Sequence, residues 1–235
     1  MVFDDWGKKA RGLLLIVAIT GFLYELGLFD HHDSATVIEK NTARNEVVSE
    51  ESEELQAYQI LPHQRIAEVG AGDASFAREL LKHNKELLLY LNDINARALK
   101  NIRWSLDHDP IFLNTTSHIS VIKGSLTSTG LEGKKLNKII IRDAFHHFER
   151  KTAMLASIRQ SLDKNGKLYL FERYKEECKN DCCPILLSRE DIMKDMSDNG
   201  FYLSEEKPLL QNGQWHYVLG FEASPWSKNQ GNALK

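Results

Sequence analysis

Between residues 65 and 171 the chain alternates short apolar runs with stretches whose apolar positions recur on a helical period. RIAEV (65–69), LLLYL (87–91), ISVIK (119–123), NKIIIR (137–142) and KLYLF (167–171) are rich in aliphatic and β-forming residues. Such uninterrupted runs suit parallel strands covered on both faces. The segments from Ser75 to Lys82, Ala96 to Leu106 and Arg150 to Leu162 predict helices between them, and Asn165-Gly166 predicts the turn into the fifth strand. Successive βα units with right-handed crossovers build an open twisted sheet that holds ligands at the carboxyl ends of its strands.

The final third changes character. SREDIMKDMSDNG predicts a helix opened by Ser188, with Asp191 three residues on in a capping-box-like start, and closed by Gly200. FYLSEEKPL and WHYVLGFEA then read as two strands around Gln211-Asn212-Gly213-Gln214, where Asn-Gly signals a hairpin. The expected fold class is α/β: a doubly wound, mostly parallel seven-stranded sheet with a C-terminal antiparallel hairpin and helices on both faces.

Glu68-Val69-Gly70-Ala71-Gly72-Asp73-Ala74-Ser75 follows the first strand and opens the first helix. Glycines there let backbone amides approach a ligand, and a helix N-terminus favours negative charge. A dinucleotide fingerprint would need its third glycine at position 75, which is Ser75. The spacing acid-x-Gly-x-Gly-x-Gly/Ala fits Glu68, Gly70, Gly72 and Ala74 instead.

On these residues EVGAGDASF resembles the first motif of class I S-adenosylmethionine-dependent methyltransferases. LYLNDIN, IIIRDAFHHF, LDKNGKLYLFE and LSREDIMKDMSDNGF resemble later motifs in order and spacing, so the resemblance covers roughly residues 55–223. It implies S-adenosyl-L-methionine as cofactor. Glu68, Gly70 and Gly72 would face its methionine part, Asp93 would hold the ribose hydroxyls, and Ile94 would pack on the adenine. Gly124-Ser125 stands where the family commonly has an acid for the adenine amine, so Ser125 is the candidate there. Arg142 and Asp143 would lie near the sulfonium. Asp143 and His146 are the catalytic candidates; His146 and His147 are adjacent, so at most one of the two is expected to face the site. Phe145, Glu172, Tyr174 and the stretch from Lys175 to Leu187 are expected to wall the acceptor pocket.

The implied acceptor is a small molecule or lipid-like. The fourth-strand motif lacks the Asn/Asp-Pro-Pro-aromatic sequence of adenine amine methylation, and a net charge of −3 disfavours a phosphate-tracking nucleic-acid binder. Cys178, Cys182 and Cys183 share one short stretch without the paired spacing of a zinc site, and their odd number argues against a disulfide framework. No metal is expected.

Lys8, Lys9 and Arg11 precede an apolar run over residues 13–29, interrupted chiefly by Thr20 and Glu25. The pattern reads as a membrane anchor or signal, with a packed helix as the alternative. A basic flank ahead of the run would put the main domain outside the cytoplasm, whereas the cofactor is made inside, which favours the cytoplasmic side. The expected organisation is a hydrophobic segment over 1–30, a polar linker over 31–54 containing His31 and His32, a methyltransferase domain over 55–223, and a flexible tail over 224–235. Two other readings stand beside an active enzyme. One is a non-catalytic cofactor-binding or membrane-scaffold module that retains the fold. The other is a nicotinamide-dependent oxidoreductase, which Ser75 and the terminal hairpin disfavour.

Overall fold

The apolar runs form strands because their aliphatic side chains can be buried on two faces at once. In the computed structural model, which describes residues 53–177 and 185–225, they become β1 (Arg65–Val69), β2 (Leu88–Asp93), β3 (His118–Lys123), β4 (Leu136–Arg142) and β5 (Leu162–Glu172). Helices α1 (Ser75–His83), α2 (Ala96–His108), the short α3 (Pro110–Leu113) and α4 (Lys151–Ser161) connect them. Helix α5 (Arg189–Asp198) leads into β6 (Phe201–Gln211) and β7 (Gln214–Ala223).

The seven strands form one sheet in the order β3-β2-β1-β4-β5-β7-β6. All neighbouring pairs through β5 are parallel, and β7 runs antiparallel to both β5 and β6. The expected fold class is therefore the observed one. Asn212 and Gly213 at the hairpin tip both have positive φ, at 51° and 74°. A two-residue turn with that geometry matches the right-handed twist of its strands.

Side-chain alternation divides the core between the two faces. Ile140 joins Tyr58, Phe76, Leu80, Leu99 and Ile102 on one side. Ile139 and Ile141 join Leu155, Ile158, Ile192 and Met196 on the other. Burying each such side chain contributes about 1.5–3 kcal/mol.

One strand departs from the expectation. β5 starts earlier, because Leu162 pairs with Leu136 before the register jumps to Lys167 opposite Lys138. Asn165-Gly166 thus lies in an irregularity of the strand rather than a turn ahead of it. Gly166 is required there, since a Cβ would sit 2.4 Å from the Leu136 carbonyl oxygen. The capping box of α5 forms as expected, with the Ser188 hydroxyl accepting the Asp191 amide proton.

Upstream of β1, residues 53–57 are helical. Glu54, Leu55 and Tyr58 are buried, so the folded domain includes the last acidic residue of the expected linker. No helix among the described residues is long and apolar enough to cross a membrane. The apolar run over 13–29, His31, His32, Cys178, Cys182 and Cys183 lie outside those residues.

Candidate functional site

The chain leaves β1 for α1, β2 for α2 and β4 for α4, and β1 lies between β2 and β4. The carboxyl ends of these strands therefore open onto one crevice, where the strand order reverses. The loop after β1 is fixed there by the Asn92 carbonyl, which accepts the Gly70 and Ala71 amide protons at 2.9 Å each. Gly70 has φ +82°, and a Cβ on it would lie 2.7 Å from that of Ala144. Gly72, at φ +56°, has open space where a Cβ would stand, with only the Gly70 carbonyl at 4.0 Å. The tight approach is thus at Gly70.

Asp93 ends β2 with its carboxylate turned to the loop. Oδ2 accepts the Gly72 amide proton at 2.9 Å and Oδ1 that of Asn95 at 2.8 Å. The side-chain cap of α2 is Asn95, not Asp93. Each carboxylate oxygen keeps further acceptor capacity. Asn92, buried beside it, donates to the Thr129 carbonyl at 2.7 Å. Ser125 turns its hydroxyl back on its own loop, accepting from the Thr127 and Ser128 amides at 3.3 and 3.1 Å.

Arg142 ends β4. Its Nε and Nη2 donate to the two oxygens of Glu54 at 2.6 and 2.9 Å. The guanidinium carbon lies 4.8 Å from the ring centres of both Phe76 and Phe171. Burial works against the charge, and the Glu54 carboxylate more than offsets it, so the Arg142 pKa is raised. The Tyr58 hydroxyl also donates to Glu54, at 2.8 Å.

After Arg142 the backbone turns sharply. Asp143 adopts φ +46° and donates its amide proton to the Phe171 carbonyl at 2.9 Å. Glu172, buried at the end of β5, accepts the Phe145 amide proton at 2.8 Å and pairs with His146 Nδ1 at 2.7 Å. That hydrogen bond, opposed by burial, raises the His146 pKa above its ordinary value.

A cavity of about 280 Å³ occupies the crevice. Of the expected site residues, Gly70, Asp93, Ile94, Ser125, Arg142 and Asp143 line it. Gly72 reaches it only through its hydrogen bond to Asp93. Glu68 lies beneath the loop, 4 % exposed, and its Oε2 has no hydrogen-bond partner. Burial, reinforced by Asp73, Glu54 and Asp93 and opposed by Arg142, pushes its pKa up to about 8.

His147 is the histidine on the cavity wall, while His146 is turned to Glu172. Among the described residues expected at the acceptor wall, Phe145, Glu172 and Tyr174 do not line this cavity. Phe145 is fully buried, Glu172 is taken up by the Phe145 amide and His146, and Tyr174 stacks on Tyr217 and donates to Glu206. His147, Phe148, Glu149 and Met154 of α4 line the cavity instead. Phe145 follows the tight turn at Asp143 and is buried, and no local pattern in the sequence signals that placement. Glu54 was equally hidden, because its partner is distant in the chain and its neighbours are acidic.

Residues 67–168 match the family model described as a methyltransferase domain. Among solved structures, a SAM-dependent methyltransferase from Aquifex aeolicus superposes with a TM-score of 0.62 at 15 % identity, covering 72 % of this chain and 87 % of that one. Magnesium protoporphyrin IX methyltransferase from Synechocystis with bound SAM gives 0.55 at 18 % identity, covering 83 % and 86 %. A glycopeptide N-methyltransferase complexed with sinefungin gives 0.60 at 15 % identity, covering 76 % and 86 %. These likenesses carry the fold. No curated protein matches the chain by sequence.

Proposed function

We propose that the chain is a class I S-adenosylmethionine-dependent methyltransferase and that it delivers the methyl group to a small-molecule or lipid-like acceptor entering over the rim of Asp143, His147 and Phe148. The observation that carries the reading is the convergence of Gly70, Asp93, Ile94, Ser125, Arg142 and Asp143 on one cavity at the strand ends, inside the matched domain.

The residues fit the cofactor. The unpartnered Oε2 of Glu68 suits an ammonium group, and the remaining acceptor sites of Asp93 suit a vicinal diol. Ile94, half exposed at the mouth, offers an apolar surface for the adenine, with Ser125 close by. The bound cofactor supplies a methyl group on a sulfonium, already a good leaving group. The protein's remaining task is to hold the acceptor atom in line, which proximity alone can accelerate by orders of magnitude. Where the acceptor is a hydroxyl or an ammonium, a proton must also leave, and His147 is the imidazole positioned to take it. His146 acts one step back, holding the turn that presents His147; their ring centres are 4.2 Å apart. Asp143, also on the rim, would orient the acceptor.

We also propose that the apolar run over residues 13–29 holds the enzyme at a membrane, with the domain on the cytoplasmic side, where the cofactor is supplied. The apolar run supports the anchor, and cofactor supply supports the cytoplasmic side, against the orientation that the basic flank of Lys8, Lys9 and Arg11 would favour.

Calorimetric titration of the full chain with S-adenosylmethionine, S-adenosylhomocysteine and nicotinamide nucleotides tests the reading, followed by a labelled-methyl screen of small-molecule and lipid acceptors. Saturable binding of the two adenosyl ligands and transfer to at least one acceptor are expected. Binding of nicotinamide nucleotides alone would overturn the cofactor reading; adenosyl binding with no transfer to any acceptor would favour a non-catalytic module.

A further inference from the structure

Arg142 presents a difficulty for the cofactor reading. S-adenosylmethionine carries a sulfonium, and Arg142, a permanent cation, ends β4 at the cavity proposed to hold it, with its guanidinium in the adjoining recess beside Glu54 and Phe76. Like charges brought together away from bulk water repel, and solvent screens them only partly. The structure contains the answer upstream of β1. Glu54, its side chain only 6 % exposed, grips Arg142 through both carboxylate oxygens. Phe76 and Phe171 both pack against the guanidinium and help keep it in that grip. Tyr58 and Gln211 hold Glu54 from the other side, at 2.8 and 3.3 Å.

We propose that Glu54 is a positioning residue that sets the charge of the cofactor site, neutralising Arg142 so that the cavity accepts the cationic sulfonium form of the cofactor. The inference rests on the methyltransferase reading above and adds a residue outside the matched domain, which begins at residue 67. It makes the helical residues 53–57 a working part of the site. It also gives the site a bias between substrate and product, because S-adenosylhomocysteine has the same nucleoside and amino-acid parts but a neutral thioether.

The charge difference between the two ligands supplies a readout that a merely structural role does not move. In the full-length chain, Glu54→Gln keeps the shape of the side chain and removes its charge. Affinity for S-adenosylmethionine should fall about tenfold, as expected for one uncompensated charge several ångströms away at intermediate dielectric, while that for S-adenosylhomocysteine should change less than about twofold. Arg142→Gln should shift the ratio of the two affinities the opposite way, towards S-adenosylmethionine. This second variant decides the matter if Glu54→Gln does not fold, as judged by circular dichroism. Equal losses for both ligands, an unchanged ratio, or a shift of the same sign in the two variants would overturn the proposal. Failure of the unaltered chain to bind either ligand would instead overturn the methyltransferase reading itself.

Discussion

The Gly72 amide donates to Asp93 Oδ2 at 2.9 Å, so the glycine loop after β1 and the end of β2 are joined through the one carboxylate assigned to the ribose. That bond pre-sets the carboxylate: its orientation is fixed by backbone atoms before any ligand arrives. Asp93→Ala should weaken S-adenosylhomocysteine binding by about 1.5–3 kcal/mol, the range for charge-assisted hydrogen bonds. Titration calorimetry reads this directly. A folded variant of unchanged affinity would remove the ribose assignment.

The two loop glycines should respond differently to a methyl group. At Gly70 a Cβ collides with Ala144 at 2.7 Å and φ is +82°, so Gly70→Ala must displace either the loop or the turn after β4. Loss of cofactor binding is expected. At Gly72 the space is open and φ is +56°, close to the left-handed helical region. Gly72→Ala should cost only about 1 kcal/mol of stability and leave binding largely intact. Equal effects at the two positions would contradict the assignment of the close approach to Gly70.

How far the sequence carried this picture depended on how local each signal was. Strands, helices and the Asn212-Gly213 hairpin were legible because their causes lie within a few residues, in periodicity, caps and turn chemistry. That the glycine loop and Asp93 meet at one crevice was legible for the same reason. That His147 rather than His146 lines the cavity, and that Glu54 holds Arg142, required tertiary geometry. Asp143 takes a positive φ in the turn just before the two histidines, and Glu54 meets a partner 88 residues away. Neither relation leaves a pattern in the sequence around it.

Glu68 should couple cofactor binding to proton release. Its carboxyl is buried with a pKa near 8, so it is protonated at pH 6–7 in the free protein. An ammonium brought to its unpartnered oxygen favours the ionised form. Titrations at pH 6.5 in buffers of different ionisation enthalpy should show protons released on binding, with the release vanishing near pH 9. The free protein carries the matching stability signature. A folded-state pKa raised above the ordinary 4.5 means stability is lost as pH climbs from about 4.5 to about 8. Glu68→Gln should therefore melt at a higher temperature than the unaltered chain at pH 8, and the gain should shrink towards pH 4.5. A constant difference across that window would show that Glu68 does not titrate there.

The Glu172–His146 pair should stabilise the fold most strongly on the acid side. The hydrogen bond to Glu172 raises the His146 pKa, so the contribution is complete below about 6.5 and disappears as pH rises through the raised value. Glu172→Gln can still accept the Phe145 amide proton and removes only the charge. Its melting temperature should fall by several degrees at pH 6 and approach that of the unaltered chain by pH 9. A deficit that grows with pH would mean that His146 is neutral when paired.

Removal of the N-terminal residues should separate location from chemistry, provided the cut spares Glu54. A chain beginning at Glu51 keeps the Glu54–Arg142 pair and Glu53, whose carbonyl accepts from Lys207 at 3.3 Å. It should stay in solution and bind S-adenosylhomocysteine as the full chain does. A chain beginning at Leu55, only four residues shorter, loses Glu54 and leaves Arg142 buried without its carboxylate. Breaking a buried pair from one side costs about 3–5 kcal/mol, so this chain should melt well below the other. The full chain should pellet with membranes. An inserted run over residues 13–29 resists high salt and needs detergent for release, whereas a charge-held protein comes off when ion pairs are screened. Protease protection in sealed vesicles then reports which side carries the domain, with cleavage from the cytoplasmic side expected. If the chain beginning at Glu51 precipitates or loses cofactor binding, residues 1–50 belong to the fold and the anchor proposal fails.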